Sequence, residues 1–519
     1  MKKKSQSNIP LWLCAIVLGI AAIFIIKTMV WDDPDKRWII QDLYFKEDPN
    51  TKLTLASPIR TFSQIVGIPQ QPQSTTIDDA SKMNQTAVAG VYQPQSTAEI
   101  QQLIQLAKTT DHKISVSGVR HSMGGQAFAA NAIQLDMTKF DGVTYNSDGS
   151  VTAQSGATWK QIQNVLDPKG RAVVVMQDSN IFTVGGSLSV NVHGKDPRFS
   201  TLISTVNWFK IMTPDGHEIL CSRQSNPELF SAAVGGYGLF GVITEVNLQT
   251  VPNDIYLFQL QPVSTDKLLN TFEQSMKDPD INLIEAHLSI SKNNLLSQAL
   301  LYTYKKAGSN PQSPSDTSGE NSIWLRKAVF QITKSSDFGQ LIRWEIEKDI
   351  EPLIETPVIL RNTAMAAPVR FLENPDPTTS DILQEYFIPK NRFDDFVGQY
   401  KNLLQKYNVH LLNVTVRYVP KNTENVLSYA QDDMYGFVAY YKVDHQEQDL
   451  SGIKNFTSAM MDDLNQIKGT YYLCYGNYYT LQQLTTMYPN ITKLFALKTK
   501  YDPAELFSNS WYQTLKTQN

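Results

Sequence analysis

Cysteine is nearly missing from this chain: three thiols, Cys14, Cys221 and Cys474, in 519 residues. So few and so scattered, they exclude a disulfide framework and a cysteine-ligated zinc site. Histidine is scarce as well, seven in all, and no two stand at His-x-x-x-His spacing, so a metal site is not expected. An excess of one charge is lacking too. Lys+Arg number 46 and Asp+Glu 50, a net charge of −4, so no global field recruits nucleic acid. There is no P-loop and no internal repeat. A Rossmann fingerprint would open a helix after the first strand, with an acid ~20 residues on. The nearest match, Gly236-Tyr237-Gly238-Leu239-Phe240-Gly241, runs into a strand-like segment instead. With 42% hydrophobic and 10% aromatic residues the chain is not disordered. It is also longer than the ~250–300 residues one core sustains, which implies more than one domain.

Long hydrophobic runs are rare, and the clear case is at the start. Lys2-Lys3-Lys4 precede an uncharged stretch from Ile9 to Ile26, long enough to cross a bilayer. A cleaved signal peptide competes with that reading. The stretch exceeds the roughly 7–15 residues of a signal core, and Ile26-Lys27-Thr28-Met29-Val30-Trp31 has no small-x-small cleavage site. Cys14 follows Trp12 and Leu13, which is not a lipobox. An uncleaved single-pass anchor within 1–30 is therefore expected, with Trp31 at the interface. Lys27, Lys36 and Arg37 follow the stretch closely, but the compact Lys2–Lys4 cluster argues for the rest of the chain on the non-cytoplasmic side. Residues 31–75, ending in Pro69-Gln70-Gln71-Pro72-Gln73-Ser74, read as a linker.

Order rises after residue 76. Val88-Ala89-Gly90-Val91-Tyr92 is strand-like, Ser96-Thr97-Ala98-Glu99 is a capping box, and Ile100, Leu103, Ile104 and Ala107 follow at helical spacing. A β-run, Lys113 to Val116, then meets Ser117-Gly118-Val119-Arg120-His121-Ser122-Met123-Gly124-Gly125-Gln126. Glycines there let the backbone turn sharply and present N–H groups to an anion. Read alone, the segment is either a phosphate nest holding a nucleophilic imidazole or a glycine-rich surface turn. Two further clusters follow. A helix opened by Gly156-Ala157-Thr158-Trp159 ends at Asp167-Pro168-Lys169-Gly170, and Val173 to Val175 lead to Gly185-Gly186-Ser187 and His193-Gly194. The last cluster, Val234 to Gly241, feeds a strand starting at Val242-Ile243. In the middle of the chain Tyr256–Leu260 alternates as a strand, Leu383–Phe387 and Phe393–Tyr407 look helical, and Gly308–Asn321 is a polar loop. Leu411–Val419 alternates so that Asn413, Thr415 and Arg417 share a face.

Taken together, these clusters resemble the FAD domain of the vanillyl-alcohol oxidase / p-cresol methylhydroxylase (PCMH-type) oxidoreductase superfamily. So do the lead-in Asp79–Val88 and the tail Tyr501-Asp502-Pro503-Ala504-Glu505-Leu506-Phe507-Ser508-Asn509. The likeness covers about 76–252 and 470–515 and is weak between them. It implies an α+β fold. An FAD domain (76–252) is completed by a C-terminal return (471–519) and encloses a middle α+β substrate domain (253–470), all preceded by the transmembrane helix. It implies FAD held by backbone of Gly118 to Gly125, with Gly185, Gly186 and Ser187 near the isoalloxazine and Ile243 toward the adenine or ribose. His121 matches a histidine bonded covalently to FAD in many members. Gln177 to Val184 has no cysteine for a second link. Polyol and aldonolactone oxidases carry Glu-x-Arg on a comparable strand; Arg417 matches the arginine and Thr415 replaces the glutamate. Asn477 lies where relatives place a flavin-edge group, and His193-Gly194 is similar to a His-Gly element near the flavin. The expected reaction moves a hydride from a hydroxyl-bearing carbon of an alcohol, polyol or lactone to flavin N5, with oxygen or a quinone-like acceptor reoxidising it. A flavin-dependent reductase or epimerising oxidase of a lipid-linked or sterol-like substrate remains open, as does a non-catalytic binding protein on the same fold.

Overall fold

The computed structural model describes residues 60–61, 74–308, 329–334, 336–350, 358–367, 374 and 376–518. Its first unit is β1 (Gly90–Gln93), α1 (Thr97–Thr109), β2 (Ile114–Ser117) and β3 (Ile133–Asp136), with the strands parallel in the order β1-β3-β2. Ser96 caps α1 by accepting from Glu99 N, while the Glu99 carboxylate reaches past it to Gln95 N at 2.7 Å. The box is thus displaced by one residue. Ile100, Leu103, Ile104 and Ala107 form the buried stripe of α1, packed with Ile114, Ile133 and Leu135.

A second layer follows: β4 (Val151–Gln154), α2 (Trp159–Leu166), α3 (Val184–Val190), β5 (Val206–Met212), β6 (Glu218–Ser222) and β7 (Val242–Leu248). The strands form an antiparallel sheet in the order β6-β5-β7-β4, with Val143–Tyr145 on the outer side of β4. Helix α2 has a complete capping box between Thr158 and Gln161. It leaves through Asp167–Lys169 to Gly170, whose φ of 62° is left-handed.

The middle of the chain supplies β8 (Ile255–Ser264), β9 (Ile281–Leu288), β10 (Gln298–Lys306), β11 (Thr379–Pro389), α4 (Phe393–Tyr407), β12 (His410–Val419), β13 (Met434–Asp444) and α5 (Glu447–Ile467). Its antiparallel sheet runs β8-β10-β9-β12-β13-β11, flanked by Val358–Leu360 and Thr470–Tyr471. One face is covered by helices: Tyr441 meets Phe456 of α5 at 5.8 Å and bonds the Tyr400 hydroxyl of α4 at 2.6 Å. Leu383–Phe387, read as helical from its spacing, is the centre of β11. Leu383, Tyr386 and Phe387 fall at i, i+3 and i+4, but the strand is buried on both faces, which erases the alternation that marks a strand.

The C-terminus returns to the first unit. Ile114 N donates to Leu506 O at 2.7 Å, Ser508 N to Ile114 O at 2.8 Å and Ser510 N to Gly125 O at 3.0 Å. Lys498, on the helix Ile491–Tyr501, is fully buried. It joins Asp502 and the carbonyls of Leu239 and Phe507, tying this return to the third glycine cluster. The run 9–26 lies outside the described residues, as does all but the first residue of Gly308–Asn321. Among the described residues no helix is long and apolar enough to cross a membrane.

Candidate active site

Strand β2 ends at Ser117, and the chain turns under the second layer. A Cβ on Gly118 would lie 1.9 Å from Thr183 Oγ1, so only glycine lets the loop close on that wall. The loop is braced from behind. Ala80 N donates to Arg120 O, Asn84 Nδ2 to Met123 O, Met123 N to Cys474 O and Gln126 Nε2 to Leu473 O at 2.5 Å. Arg120 sits at a left-handed φ of 56°. The N–H groups of Val119, Arg120, His121 and Ser122 donate to no acceptor among the described residues. Successive free N–H groups of this kind make an anion nest. His121 stands within it, edge-on to Phe182 with ring centroids 4.8 Å apart, and its Nδ1 is buried without a partner. Burial pulls its pKa below the usual 6.5, against a smaller opposing pull from the Val119 backbone, so the imidazole is neutral and carries a free lone pair.

The loop opens into a cavity of about 820 Å³ between the first two layers and the uncovered face of the large sheet. That face alternates cleanly. Glu285 and His287 come from β9, Tyr302 and Tyr304 from β10, Asn413, Thr415 and Arg417 from β12, Val438 and Tyr440 from β13, and Leu383 and Glu385 from β11. The register places His287 opposite Thr415, Thr415 opposite Val438, and Val438 opposite Glu385. Lys195 bonds Glu285 at 2.8 Å and Asp178 at 2.9 Å, and Arg417 bonds the same two carboxylates at 3.2 and 3.0 Å. Burial would raise the Glu285 pKa, but Lys195 and Arg417 outweigh it and hold the carboxylate well below its usual range. Burial likewise opposes the charge on Lys195 and on Arg417, and the two carboxylates hold both cations charged. Asp178 is the accessible member, 21% exposed against 6% for Glu285. Beside them His193 Nε2 meets Glu385 Oε1 at 2.5 Å.

Residues 88–222 match the family described as FAD binding domain. The chain is 32% identical over 179 residues to cytokinin dehydrogenase 2 of Arabidopsis thaliana, covering 34% of this chain and 36% of that one. It is 27% identical over 215 residues to a putative D-arabinono-1,4-lactone oxidase of Neurospora crassa, covering 41% and 38%. It is also 28% identical over 188 residues to L-gulonolactone oxidase of Mus musculus, covering 36% and 42%. Residues 88–222 therefore form an FAD-binding domain, and the stretches matched are similar to PCMH-type FAD oxidoreductases. The chain spans well under two thirds of the length of these three relatives.

Within this FAD-binding fold, Ser117 to Ser122 and Gln126 line the cleft together with Gly185, Gly186, Ser187, His193, Ile243 and Arg417. Met123, Gly124 and Gly125 lie behind the loop, where a Cβ on Gly124 would meet Tyr475 O at 2.3 Å. Gly194 packs against Met176 O rather than facing the cleft. The Ser187 hydroxyl accepts from Trp159 Nε1 at 3.0 Å, bracing α2 against α3. Thr415 does not meet an acid: Asn413 Nδ2 donates to it at 3.1 Å, and Arg343 holds Asn413 at 2.7 Å. Asn477 is not brought to the cleft. It lines a separate small cavity with Asn84, Gln85 and Ser510.

Asp178, Lys195, Glu285, Glu385 and His287 were not singled out from sequence. Asp178 and Lys195 flank the second glycine cluster and could have been found there; Glu285, His287 and Glu385 sit in ordinary strands with no local signal. Gly118→Ala should lose most bound FAD while the fold persists, since the added methyl must push the loop off Thr183. Flavin absorbance per protein, beside an unchanged circular dichroism spectrum, checks this.

Proposed function

We propose that the cleft is the active site of an FAD-dependent oxidoreductase acting on a hydroxyl-bearing carbon of an alcohol, polyol or lactone. The observation that carries this is one cavity holding both the neutral, unpartnered His121 nitrogen in its nest of free N–H groups and the Asp178–Lys195–Glu285–Arg417 charge cluster. The residues fit FAD. Val119 to Ser122 would hold the pyrophosphate, Gly185 and Gly186 the ring, and Ile243 the nucleoside end. His121 Nδ1 would form the covalent link. Cys474 also lines the cleft, but burial, then the nearby Glu385, push its thiol pKa well above the usual range, so it stays a protonated thiol and a single bond is expected. When bound, the cofactor supplies a two-electron acceptor for a departing hydride, to be reoxidised by oxygen or a quinone-like molecule.

The chain's own groups do the rest. Asp178 takes the hydroxyl proton, as the accessible carboxylate of the cluster. Lys195 and Arg417 keep positive charge fixed where negative charge develops. Glu285 holds both cations in place. The names of the relatives, a cytokinin dehydrogenase and two lactone oxidases, support an oxidising reaction. The deciding test is the absorption spectrum of the purified chain followed by acid precipitation. A yellow pellet is expected; a colourless protein that cannot be reconstituted with FAD sinks the proposal. Membrane attachment through residues 9–26, with the catalytic domain on the non-cytoplasmic side, belongs to the same proposal. Deleting residues 1–30 should move the protein from the membrane pellet to the supernatant, and retention in the pellet would refute the anchor.

A further inference from the structure

We propose that Glu385 is a second gripping point of the cleft, taking a hydrogen bond from a hydroxyl other than the reacting one, and that His193 is the residue that positions it. The inference rests on the oxidoreductase reading and adds a specificity contact to it. Asp178 and Glu285 spend both carboxylate oxygens on Lys195 and Arg417. Glu385, on β11, spends only one. Its Oε1 meets His193 Nε2 at 2.5 Å, while Oε2 accepts from no group among the described residues and stays open to the cavity. Arg417 stands near enough to feel Glu385, yet its hydrogen bonds go to Glu285 and Asp178.

Proton placement follows from the partners. His193 Nδ1 faces the Gly194 carbonyl at 3.2 Å, which can only accept, so one ring proton sits there. Two lone pairs at 2.5 Å would repel, so a second proton lies between Nε2 and Oε1. On whichever side of that contact it rests, Oε2 offers lone pairs alone. The pair is therefore an acceptor toward the cleft, not a donor. It is also held firmly. Both side chains are 4% exposed, Phe387 packs on the imidazole at 5.4 Å between centroids, and a Cβ on Gly436 would come within 3.1 Å of Oε1. A carboxyl group so fixed loses little freedom when it binds. Its charge is answered by the shared proton, as two cations answer two acids in the neighbouring cluster. No surplus negative charge is left among these six residues to draw in an ammonium group, and the donor that suits Oε2 is a neutral hydroxyl. Arg417 and Glu385 lie on strands two steps apart, roughly 10 Å, the reach of a short hydroxylated chain.

Calorimetry on the purified full chain tests this with sorbitol, which has a hydroxyl on every carbon, against 1-hexanol, which has a single one. Glu385→Met should weaken sorbitol by about tenfold, the effect of one hydrogen bond lost, and leave 1-hexanol unchanged. His193→Phe should weaken sorbitol as much, and His193→Gln, which restores an N–H at the place of Nε2, should recover part. The double variant Glu385→Met/His193→Phe should bind sorbitol no worse than Glu385→Met alone, because His193 acts through Glu385. Glucamine, sorbitol with one hydroxyl replaced by ammonium, should bind no more tightly than sorbitol. Sorbitol that does not bind the wild-type chain, or binds Glu385→Met equally well, overturns the contact, as does an equal loss for 1-hexanol. Losses that add in the double variant overturn the role of His193, and tighter glucamine overturns the neutral donor. If the variants do not fold, proton NMR of the wild type decides. Saturating sorbitol should move the far-downfield signal of the proton shared with Glu385, and an unmoved signal refutes the contact. FAD content is measured on each preparation. A flavin-free chain with the same Glu385 dependence refutes the oxidoreductase reading alone, and a flavin-loaded chain without it refutes this contact alone.

Discussion

His121→Ala should release all flavin from acid-precipitated protein into the supernatant, whereas wild-type flavin should stay in the pellet. The nucleophile in the proposed link is the imidazole lone pair, and its two requirements are met. Burial keeps the ring neutral, and Nδ1 makes no competing hydrogen bond. Alanine removes the nucleophile and leaves the nest intact, because the loop is held by Ala80, Asn84, Cys474 and Leu473 rather than by the His121 side chain. Some FAD therefore remains bound before denaturation. Acid-stable flavin in the variant would remove His121 from the link, and Cys474 would then be the residue to replace.

Asp178→Asn should lower kcat by about 10²–10⁴, the range for loss of a positioned proton acceptor, with FAD content unchanged. The substitution keeps shape and keeps Glu285 as a partner for Lys195 and Arg417. The fold should hold. Arg417→Ala serves as the contrast. It strips a cation from two carboxylates, one of them deeply buried, so stability should fall by about 3–5 kcal/mol along with turnover. Stopped-flow reduction of the flavin, beside thermal melts of both variants, separates the two effects. An Asp178→Asn enzyme with unchanged kcat would show that the proton leaves by another route, and Glu385 with His193 is the next pair to test.

Legibility along the chain followed the range of the interactions. The nest needed only glycines and small residues in one decade of sequence, because it is built from backbone N–H groups. The same holds for the start of α2, where Thr158 and Gln161 cap a helix within four residues. Arg417 was legible as a face, since alternation on β12 puts it with Thr415 and Asn413, but its partners were not. Asp178 and Glu285 come from segments far apart in the chain, and an ion pair leaves no periodic trace in either. Asn477 shows the reverse failure: its place near the C-terminal return suggested the cleft, yet the turn after Thr470–Tyr471 delivers it to the far side of the loop.

What the amino-acid sequence by itself determined is the cofactor half: a β-α-β unit, three glycine clusters and one histidine in a turn, all set by local backbone freedom. Only the tertiary structure decided the substrate half. It packs strands from residues 255 to 444 into one sheet, turns alternate side chains toward the cavity, and brings Glu285, His287, Glu385 and Arg417 against Asp178, Lys195 and His193. Burying Lys195, Glu285 and Arg417 beside the partly exposed Asp178 is tolerable only where each meets its opposites, and that requirement is met by the packing of whole layers.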